Sequence, residues 1–313
     1  MRVTGNSYQD ALIQQLNLLT ARQYRLQNQA ATGQRIQSPD DDPAGLAQTL
    51  NLQSESSRVT QFTQNIGALQ TRATSIYNAL QGLKTISDRA GEIATSADGT
   101  KSPADLKVYA AEVTQLIHQA VQLMNSKDGG QSLFAGTRSD QPAFVETTDA
   151  NGNVTGVTYQ GNTSVSENEI AENQTLSVDA PGENNSGSGP SGLVSDNRHG
   201  ADLFGHLIAL QNHLLAGDTS AIANTDRSAL AADEDNILYH VSNNGAVQSR
   251  LEAAASVADS RSLSLQKAIT QVSGADLTAT IVQLSQAQTN YQAALQSSAS
   301  ILQLNNSLLN YLQ

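Results

Sequence analysis

The apolar residues of this chain form helical seams near both of its ends. Within residues 12–33, apolar or small side chains recur at steps of four and three, with Gln23 interrupting, at Leu12, Leu16, Leu19, Leu26 and Ala30. This is the spacing of a coiled-coil seam. Toward the other end, apolar side chains follow the same four- and three-residue steps at Leu277, Ile281, Leu284, Tyr291 and Leu295, and Gln288 interrupts the series. After a three-residue slip, the pattern continues at Leu304 and Leu308. A helix with so narrow a stripe must bury it against another helix, in this chain or in a neighbour.

The segments between these ends carry further helical patterns. A seam of four- and three-residue steps predicts one helix over about residues 43–96, roughly 80 Å long at the usual rise per residue. Ser102 as N-cap, followed by Pro103 in the first helical position, begins a third helix. A short amphipathic helix follows Leu203, and a longer one covers about residues 226–272. The pattern is that of a mainly helical protein.

The middle of the chain has a different character. From about residue 134 to 199 it is rich in Gly, Asn, Ser, Thr and Asp, and the runs AFVETT, VTGVTYQ and TLSV indicate short strands. Asn151-Gly152 predicts a hairpin turn in which both residues take positive φ angles. The stretch PGENNSGSGPSG at 181–192 predicts a flexible loop. This middle part is therefore a small β-rich insertion.

Together these patterns predict the fold class and five segments. The fold is mainly α, a long antiparallel coiled-coil or helical-bundle rod formed by the N- and C-terminal segments, with a small central β-rich insertion domain. The segments are an N-terminal assembly helix and corner at 1–42, two halves of a helical rod at 43–133 and 201–272, the β-rich outer insertion at 134–200, and a C-terminal assembly helix at 273–313.

Composition narrows the function classes. The net charge of −12 argues against nucleic acid as a partner, and no apolar run is long enough for membrane insertion. The first residues have no unbroken apolar stretch, so we expect no cleaved signal peptide. The chain has no cysteine, which excludes thiol nucleophiles, disulfides and thiolate metal sites. No nucleotide-binding or nucleophile-elbow motif is present, so we predict no catalytic residues, no cofactor and no enzyme.

Asp40, Asp41 and Asp42 form the most conspicuous candidate site. Adjacent side chains point apart and rarely converge on one ion, whereas a carboxylate directly before Pro43 caps the next helix. The two prolines also bar one continuous helix through this point. We therefore interpret the stretch as a helix corner and cap, formed by Ser38, Pro39, Asp42 and Pro43.

Two other groups have some features of metal sites. Asp149, Asn151 and Asn153 imitate the start of a calcium loop, but Gln160 stands where a bidentate glutamate is needed, so a turn is the better interpretation. His206 and His213 share a helix face without further ligands nearby. The remaining histidines, His118, His199 and His240, are isolated in the sequence. We predict no metal site.

Several blocks resemble one known family in the order in which that family carries them. The N-terminal segment of the flagellin superfamily is similar to the stretch ATGQRIQSPDDDPAGLAQTLNLQSE of this chain. The entry to the outer domain of the flagellar hook-associated protein 3 family resembles SLFAGTRSDQPAF at 132–144. Later segments of that family resemble three further stretches of this chain, VTYQGNTSVSENEIAENQTLSVDAPG, ADLFGHLIALQNHLLAGD and the C-terminal LLNYLQ. The resemblance to this family extends over nearly the whole length of the chain.

The resemblance implies a non-enzymatic axial protein of the bacterial flagellum. Such a protein leaves the cell through the flagellar type III channel and assembles head to tail as the junction between hook and filament. The implied partners are copies of itself, the other junction protein, flagellin, and an export chaperone on the C-terminal helix. The alternative is a minor or short flagellin. For assembly we expect the seam residues Leu12, Leu16, Leu19, Leu26, Ile281, Leu284, Tyr291, Leu295, Leu304 and Leu308.

Overall fold

The computed structural model describes residues 4–311, with side chains for residues 10–300 and for Gln303. The chain divides into two compact units. Unit 1 contains the residues through Arg58 together with those from Arg261 onward, and unit 2 is Val59–Ser260. Most of the chain is helical and the strands form small antiparallel pairs, which confirms the predicted mainly α fold class. The five-segment division of the chain stays a prediction.

The helices follow the predicted pattern closely. They are α1 (Thr4–Thr32), α2 (Pro43–Ser96), α3 (Pro103–Met124), α4 (Leu203–Ala216), the single turn α5 (Thr219–Ala221), a π-helical turn (Ile222–Asp226), α6 (Arg227–Ser273) and α7 (Leu277–Tyr311). Ser102 caps α3 in a capping box: its hydroxyl accepts from the Asp105 amide, and the Asp105 carboxylate accepts from the Ser102 amide. This N-cap and Pro103 at the first helical position confirm the predicted start of α3.

Unit 1 is organised by the pairing of α1 with α7. Just beyond α1, the Gly33 carbonyl accepts from the Ala275 amide, which lies just before α7. The Arg35 amide in turn donates to the Ser273 carbonyl, and Gln34 and Gly274 form an antiparallel bridge. Because α7 starts beside the point where α1 ends and the two helices stay in contact, they run antiparallel. The predicted antiparallel pairing of terminal helices is therefore present within this unit.

The strands all belong to unit 2. They are β1 (Lys127–Asp128), β2 (Gln131–Ser132), β3 (Phe144–Thr148), β4 (Val154–Tyr159), β5 (Asn168–Ala171), β6 (Gln174–Leu176), β7 (Ser195–Asp196) and β8 (Ala201–Asp202). Each pairs with its neighbour in sequence, as two-stranded antiparallel ladders β1–β2, β3–β4, β5–β6 and β7–β8. The small sheets cannot form a core of their own, so they pack on helices.

Side-chain amides, one half-buried and one buried, join these strands to the helices of unit 2. Asn125 follows α3, and its amide both donates to the Phe144 carbonyl and accepts from the Phe144 amide. Gln211 of α4 accepts from the Thr114 hydroxyl of α3 and donates to the Val154 carbonyl of β4. Because buried polar groups need partners, these bonds fix where the β3–β4 hairpin lies on the α3–α4 pair.

Two local predictions for the insertion were wrong. At the β3–β4 turn only Gly152 has positive φ, at 85°, and Asn151 does not. The turn is instead organised by the Asp149 carboxylate, which accepts from the amides of Asn151 and Asn153. An Asx-type side chain thus replaces the primed turn that the sequence suggested.

The second error concerns the loop at 181–192, which is tightly bonded rather than flexible. Asp196 accepts from the Gly192 amide and from the Arg198 guanidinium, and Arg198 also donates to the Gly189 carbonyl. The Asn184 amide donates to the carbonyls of Ser188 and Pro190. Burial raises the pKa of Asp196, but these hydrogen bonds and the Arg198 charge outweigh it and lower the pKa to about 2.

The SLFAGT stretch, from which part of the resemblance came, makes a structural turn. Gly136 has a φ of 64°, and a Cβ added there would collide with the Asn162 carbonyl oxygen. The Asn162 side chain accepts from the Thr137 amide, and the hydroxyl of the half-buried Tyr159 donates to the Phe134 carbonyl at 2.9 Å. Only glycine fits this close approach.

Replacing Gly136 with alanine should therefore destabilise the protein by about 1–3 kcal/mol, through overpacking as well as backbone strain. Chemical denaturation of the purified chain measures the loss. Gly129→Ala is the matched control, since Gly129 also has positive φ, at 56°, but an added Cβ there meets no atom within 4 Å. Equal losses in the two variants would show that the approach to Asn162 is unimportant.

Candidate assembly surface

One face of α7 packs against α1. Going along α7, the less exposed side chains step by four and three through Thr280, Leu284, Ala287, Tyr291, Ala294 and Ser298. On α1 the matching positions are Leu12, Leu16, Leu19, Gln23, Leu26 and Ala30, of which Leu26 is the most buried, at 5% exposure. We call these two sets the inner seam. Its α7 half is built largely of small residues, which let two helices approach closely.

A second face of α7 leaves large apolar side chains in solvent. Leu277, Ile281 and Leu295 are 47%, 58% and 43% exposed. At roughly 100° per residue these three residues fall on one flank of the inner seam, with Gln288 between them. We call Leu277, Ile281 and Leu295 the outer stripe. In the described part of unit 1 its apolar area remains exposed.

The predicted assembly residues are therefore divided between two faces. Leu12, Leu16, Leu19, Leu26, Leu284 and Tyr291 lie on the inner seam, whereas Ile281 and Leu295 lie on the outer stripe. Leu304 and Leu308 lie outside the residues whose side chains are described. The hydrophobic pattern does not identify Thr280, Ala287 and Ser298 as members of the seam, because small and polar residues carry little weight in such a pattern.

The charge distribution marks α7 as an unusual surface helix. From Leu277 to Gln313 the sequence contains no Asp, Glu, Lys, Arg or His. A solvated helix face normally carries charges, whereas charged residues are depleted at the centres of protein interfaces. The outer stripe thus combines exposed apolar side chains with the absence of charge, both of which are typical of a surface that another protein covers.

The corner between α1 and α2 uses two of its three aspartates for different backbone groups. Asp41 accepts from the amides of Gln37 and Ser38, each at 3.0 Å. Asp42 accepts from the Gly45 amide at 2.9 Å, directly before Pro43 begins α2. Asp40 is exposed. Since the carboxylates serve separate turns, the arrangement has no common point at which they would hold an ion.

Asp42 also connects the corner to the end of α6. The Arg35 guanidinium donates to Asp42 at 3.0 Å and to the Val272 carbonyl at 3.0 Å. The Gly45 amide and then Arg35 lower the pKa of Asp42 below its ordinary value. The packing is close here, because a Cβ on Gly45 would lie 2.7 Å from the Ile36 side chain. Ser38 and Pro39 complete the turn, in which the Asp41 amide donates to the Ser38 carbonyl.

The two histidines of α4 each donate to a buried aspartate. His206 Nδ1 lies 2.8 Å from Asp233, and His213 Nδ1 lies 2.8 Å from Asp226. The two histidines are seven residues apart, and so are the two aspartates in the reverse order, so the two hydrogen bonds form successive rungs between antiparallel segments. Across the described residues, no group of three His, Cys, Asp or Glu side chains is placed to hold a metal ion.

The His206–Asp233 rung makes stability depend on pH. The hydrogen bond and charge of Asp233 raise the pKa of His206 despite burial, while burial raises the pKa of Asp233 itself. A raised histidine pKa contributes stability that is complete below the ordinary value of 6.5 and is lost as pH rises through the folded value.

We therefore expect the stability difference between the wild type and His206→Gln to be larger below pH 6.5 than in mildly alkaline solution. Denaturation curves of both proteins across this range measure it. Glutamine keeps a neutral donor for Asp233, so the pH dependence isolates the imidazolium. A difference that stays constant with pH would contradict the assignment.

The first comparison with known proteins is a match between this chain and the model of a protein family. Residues 4–139 match the model of the bacterial flagellin N-terminal helical region. The N-terminal part of this chain is thus similar to that of bacterial flagellins. None of the helices in the described part of the chain has both the length and the apolar character needed to span a membrane.

The more specific matches are to flagellar hook-associated protein 3. The protein of that name from Escherichia coli K12 is 26% identical over 126 residues, which is 38% of this chain and 38% of that protein. Its Salmonella typhimurium LT2 counterpart is 26% identical over 132 residues, 40% of each chain. The matched segments thus span about two fifths of the curated relatives.

Solved structures agree on the fold. A Bacillus cereus protein, FlgL, superposes with a TM-score of 0.55 at 16% identity, covering 70% of this chain and 99% of that one. Xanthomonas campestris FlgL gives 0.54 at 19% identity, covering 69% and 98%. The comparisons together support the resemblance to the flagellar hook-associated protein 3 family, which is a family of structural flagellar proteins and not of enzymes.

Proposed function

We propose that this protein is a structural axial protein of the flagellum that forms the junction between hook and filament. The observation that carries the proposal is the match to hook-associated protein 3, on a chain with the fold of solved FlgL proteins. The alternative, a minor or short flagellin, is not favoured, because the curated relatives carry the name of hook-associated protein 3.

Assembly uses the terminal helices. The inner seam joins α1 to α7 within one chain, and the outer stripe of Leu277, Ile281 and Leu295 packs against a neighbouring chain, head to tail. The exposed apolar area and the absence of charge in α7 support this division. Neighbours are copies of the same chain, the other junction protein and flagellin.

Export precedes assembly in this proposal. The chain leaves the cell through the flagellar type III channel, and a chaperone covers the C-terminal helix until then. An uncharged helix with exposed leucine and isoleucine supports such protection, because that surface would otherwise promote association in the cytoplasm. The segments 1–42 and 273–313 are the assembly elements, and 134–200 is the outer insertion.

Deletion of the gene tests the function. We expect cells that complete their hooks but release flagellin into the medium, because no junction holds the first filament subunits. Electron microscopy of the cells and immunoblotting of the medium measure both effects, and a plasmid copy of the gene should restore filaments. Normal filaments on the deletion strain would rule out the junction role.

A further inference from the structure

Two Asn-Gly pairs occur in the sequence, Asn151-Gly152 and Asn244-Gly245. In such a pair the backbone nitrogen of the glycine can attack the side-chain amide of the asparagine, because glycine has no Cβ to hinder the approach. Asparagine accordingly counts among the thermolabile residues of proteins. The reaction needs both groups to be free to meet, and the fold holds the two pairs of this chain very differently.

The pair at 244–245 lies inside α6 and is held at both of its reacting groups. Asn244 is 4% exposed; its side-chain nitrogen donates to the Ala73 carbonyl at 3.2 Å, and its side-chain oxygen accepts from Gln248 at 2.6 Å. Gly245 lies in the interior of the helix, where the backbone amides belong to the helical ladder of hydrogen bonds. Reaction at this pair therefore requires α6 to open within the core of unit 2, which is a rare event.

The pair at 151–152 lies at the tip of the β3–β4 hairpin, and both of its residues are exposed. Gly152 has a φ of 85°, and a Cβ added there would meet no atom within 4 Å, so the space beside its backbone is open. The Gly152 amide donates to the Asp149 carbonyl at 3.1 Å across the turn. A turn bond at an exposed tip opens by local fluctuation while the rest of the unit stays folded.

The Asp149 carboxylate determines what a change at this tip would do. It accepts from the Asn151 amide at 2.8 Å, and from the backbone and side-chain nitrogens of Asn153 at 2.9 and 3.0 Å. An isoaspartate at position 151 would run the main chain through the side-chain carbonyl and so add one methylene between these two residues. Their amides would then no longer fit the same carboxylate, and the tip of the hairpin would loosen.

We propose that Asn151 is a site of spontaneous deamidation in the folded protein, through a cyclic imide formed with Gly152. The Gly152 nitrogen gives its proton to hydroxide and forms a bond to Cγ of Asn151. The bond from Cγ to the side-chain nitrogen breaks, and that nitrogen takes a proton from water and leaves as ammonia. Water then opens the ring at either carbonyl, which gives aspartate or isoaspartate.

The balance of this reaction is one water consumed and one ammonia released, so it needs no oxidant, no reductant and no enzyme. Each conversion adds one negative charge to the exposed hairpin tip. The inference is independent of the junction role, because it follows from the exposure and hydrogen bonds of the two pairs alone.

The rates at the two pairs test the proposal directly. The purified full chain is incubated in mildly alkaline buffer, and its peptides are mapped by mass spectrometry and by labelling with an isoaspartyl methyltransferase. We expect Asn151 to convert about tenfold faster than Asn244 or more, because only its pair reacts without the opening of a helix. In urea, where both pairs are unfolded, the two rates should be similar. Equal rates in the folded chain, or conversion of Asn151 in urea only, would overturn the proposal.

Asn151→Gln provides the matched control. The side chain at this position is exposed, so the variant should fold like the wild type, and the longer glutamine closes a six-membered ring far more slowly. Hydrogen exchange at the amides of residues 151 and 153 should become faster in the wild type as isoaspartate accumulates, and stay constant in Asn151→Gln. Unchanged exchange in the converted wild type, or an equal gain in Asn151→Gln, would overturn the predicted loosening of the tip.

Discussion

Replacing Ile281 and Leu295 together with aspartate should abolish filament formation while the chain still folds and is secreted. Both side chains are about half exposed in the isolated chain, so two charges there cost little before assembly. Once a neighbour covers the outer stripe, each unpaired charge costs on the order of several kcal/mol, which is enough to prevent association. Circular dichroism of the monomer measures folding, immunoblots of the medium measure secretion, and electron microscopy of cells measures filament formation.

A matched pair of substitutions on the other flank of α7 provides the control. Gln286→Asp and Ser297→Asp add the same charge at exposed positions that lie away from the outer stripe. Secretion is measured in parallel because the stripe is also a proposed chaperone surface. Normal filaments built from the secreted Ile281/Leu295 variant would show that the stripe is not the assembly surface.

Leu26→Asp should have a different effect, the separation of α1 from α7 within the chain. Leu26 is 5% exposed on the inner seam, and truncation of a buried leucine alone costs about 2–5 kcal/mol, to which a buried charge adds. Hydrogen exchange should show lost protection along both α1 and α7, with the amides of unit 2 unchanged. The control is Leu18→Asp on α1, where the leucine is 72% exposed. Retained protection of α7 in Leu26→Asp would contradict the inner seam.

The helical part of the fold could be predicted from the sequence because its signals are local and repeated. The seam of α2 continues over many turns, and the bounds of 43–96 agree with the structure. The start of α3 was equally clear, because a serine N-cap, a proline and an aspartate in the first turn all indicate one boundary.

The two faces of α7 could not be distinguished from the sequence. Ile281 lies directly beside Thr280, and the same four- and three-residue steps can be traced through either. Hydrophobicity favours the stripe through Ile281, but the seam against α1 runs through Thr280, Ala287 and Ser298. Close approach of two helices rewards small side chains, and that preference depends on a partner which a single sequence does not identify.

The loop at 181–192 shows a second limit. Its glycines and serines are typical of a flexible linker, yet Asp196, four residues beyond it, holds the loop through Gly192 and Arg198. Asn236 of α6 also donates to the Leu193 carbonyl at 2.7 Å. Composition describes local freedom, but it identifies neither the carboxylate that accepts these bonds nor Asn236, which is 43 residues away from Leu193 in the chain.

The position of the protein on intact flagella tests the junction role most directly. An antibody against residues of the outer insertion, 134–200, would be applied to flagella that retain their hooks, and the label located by electron microscopy. The junction role predicts label confined to a single narrow zone at the boundary between hook and filament, and none on flagella from the deletion strain. Label distributed along the filament would contradict it and would identify the chain as a filament subunit.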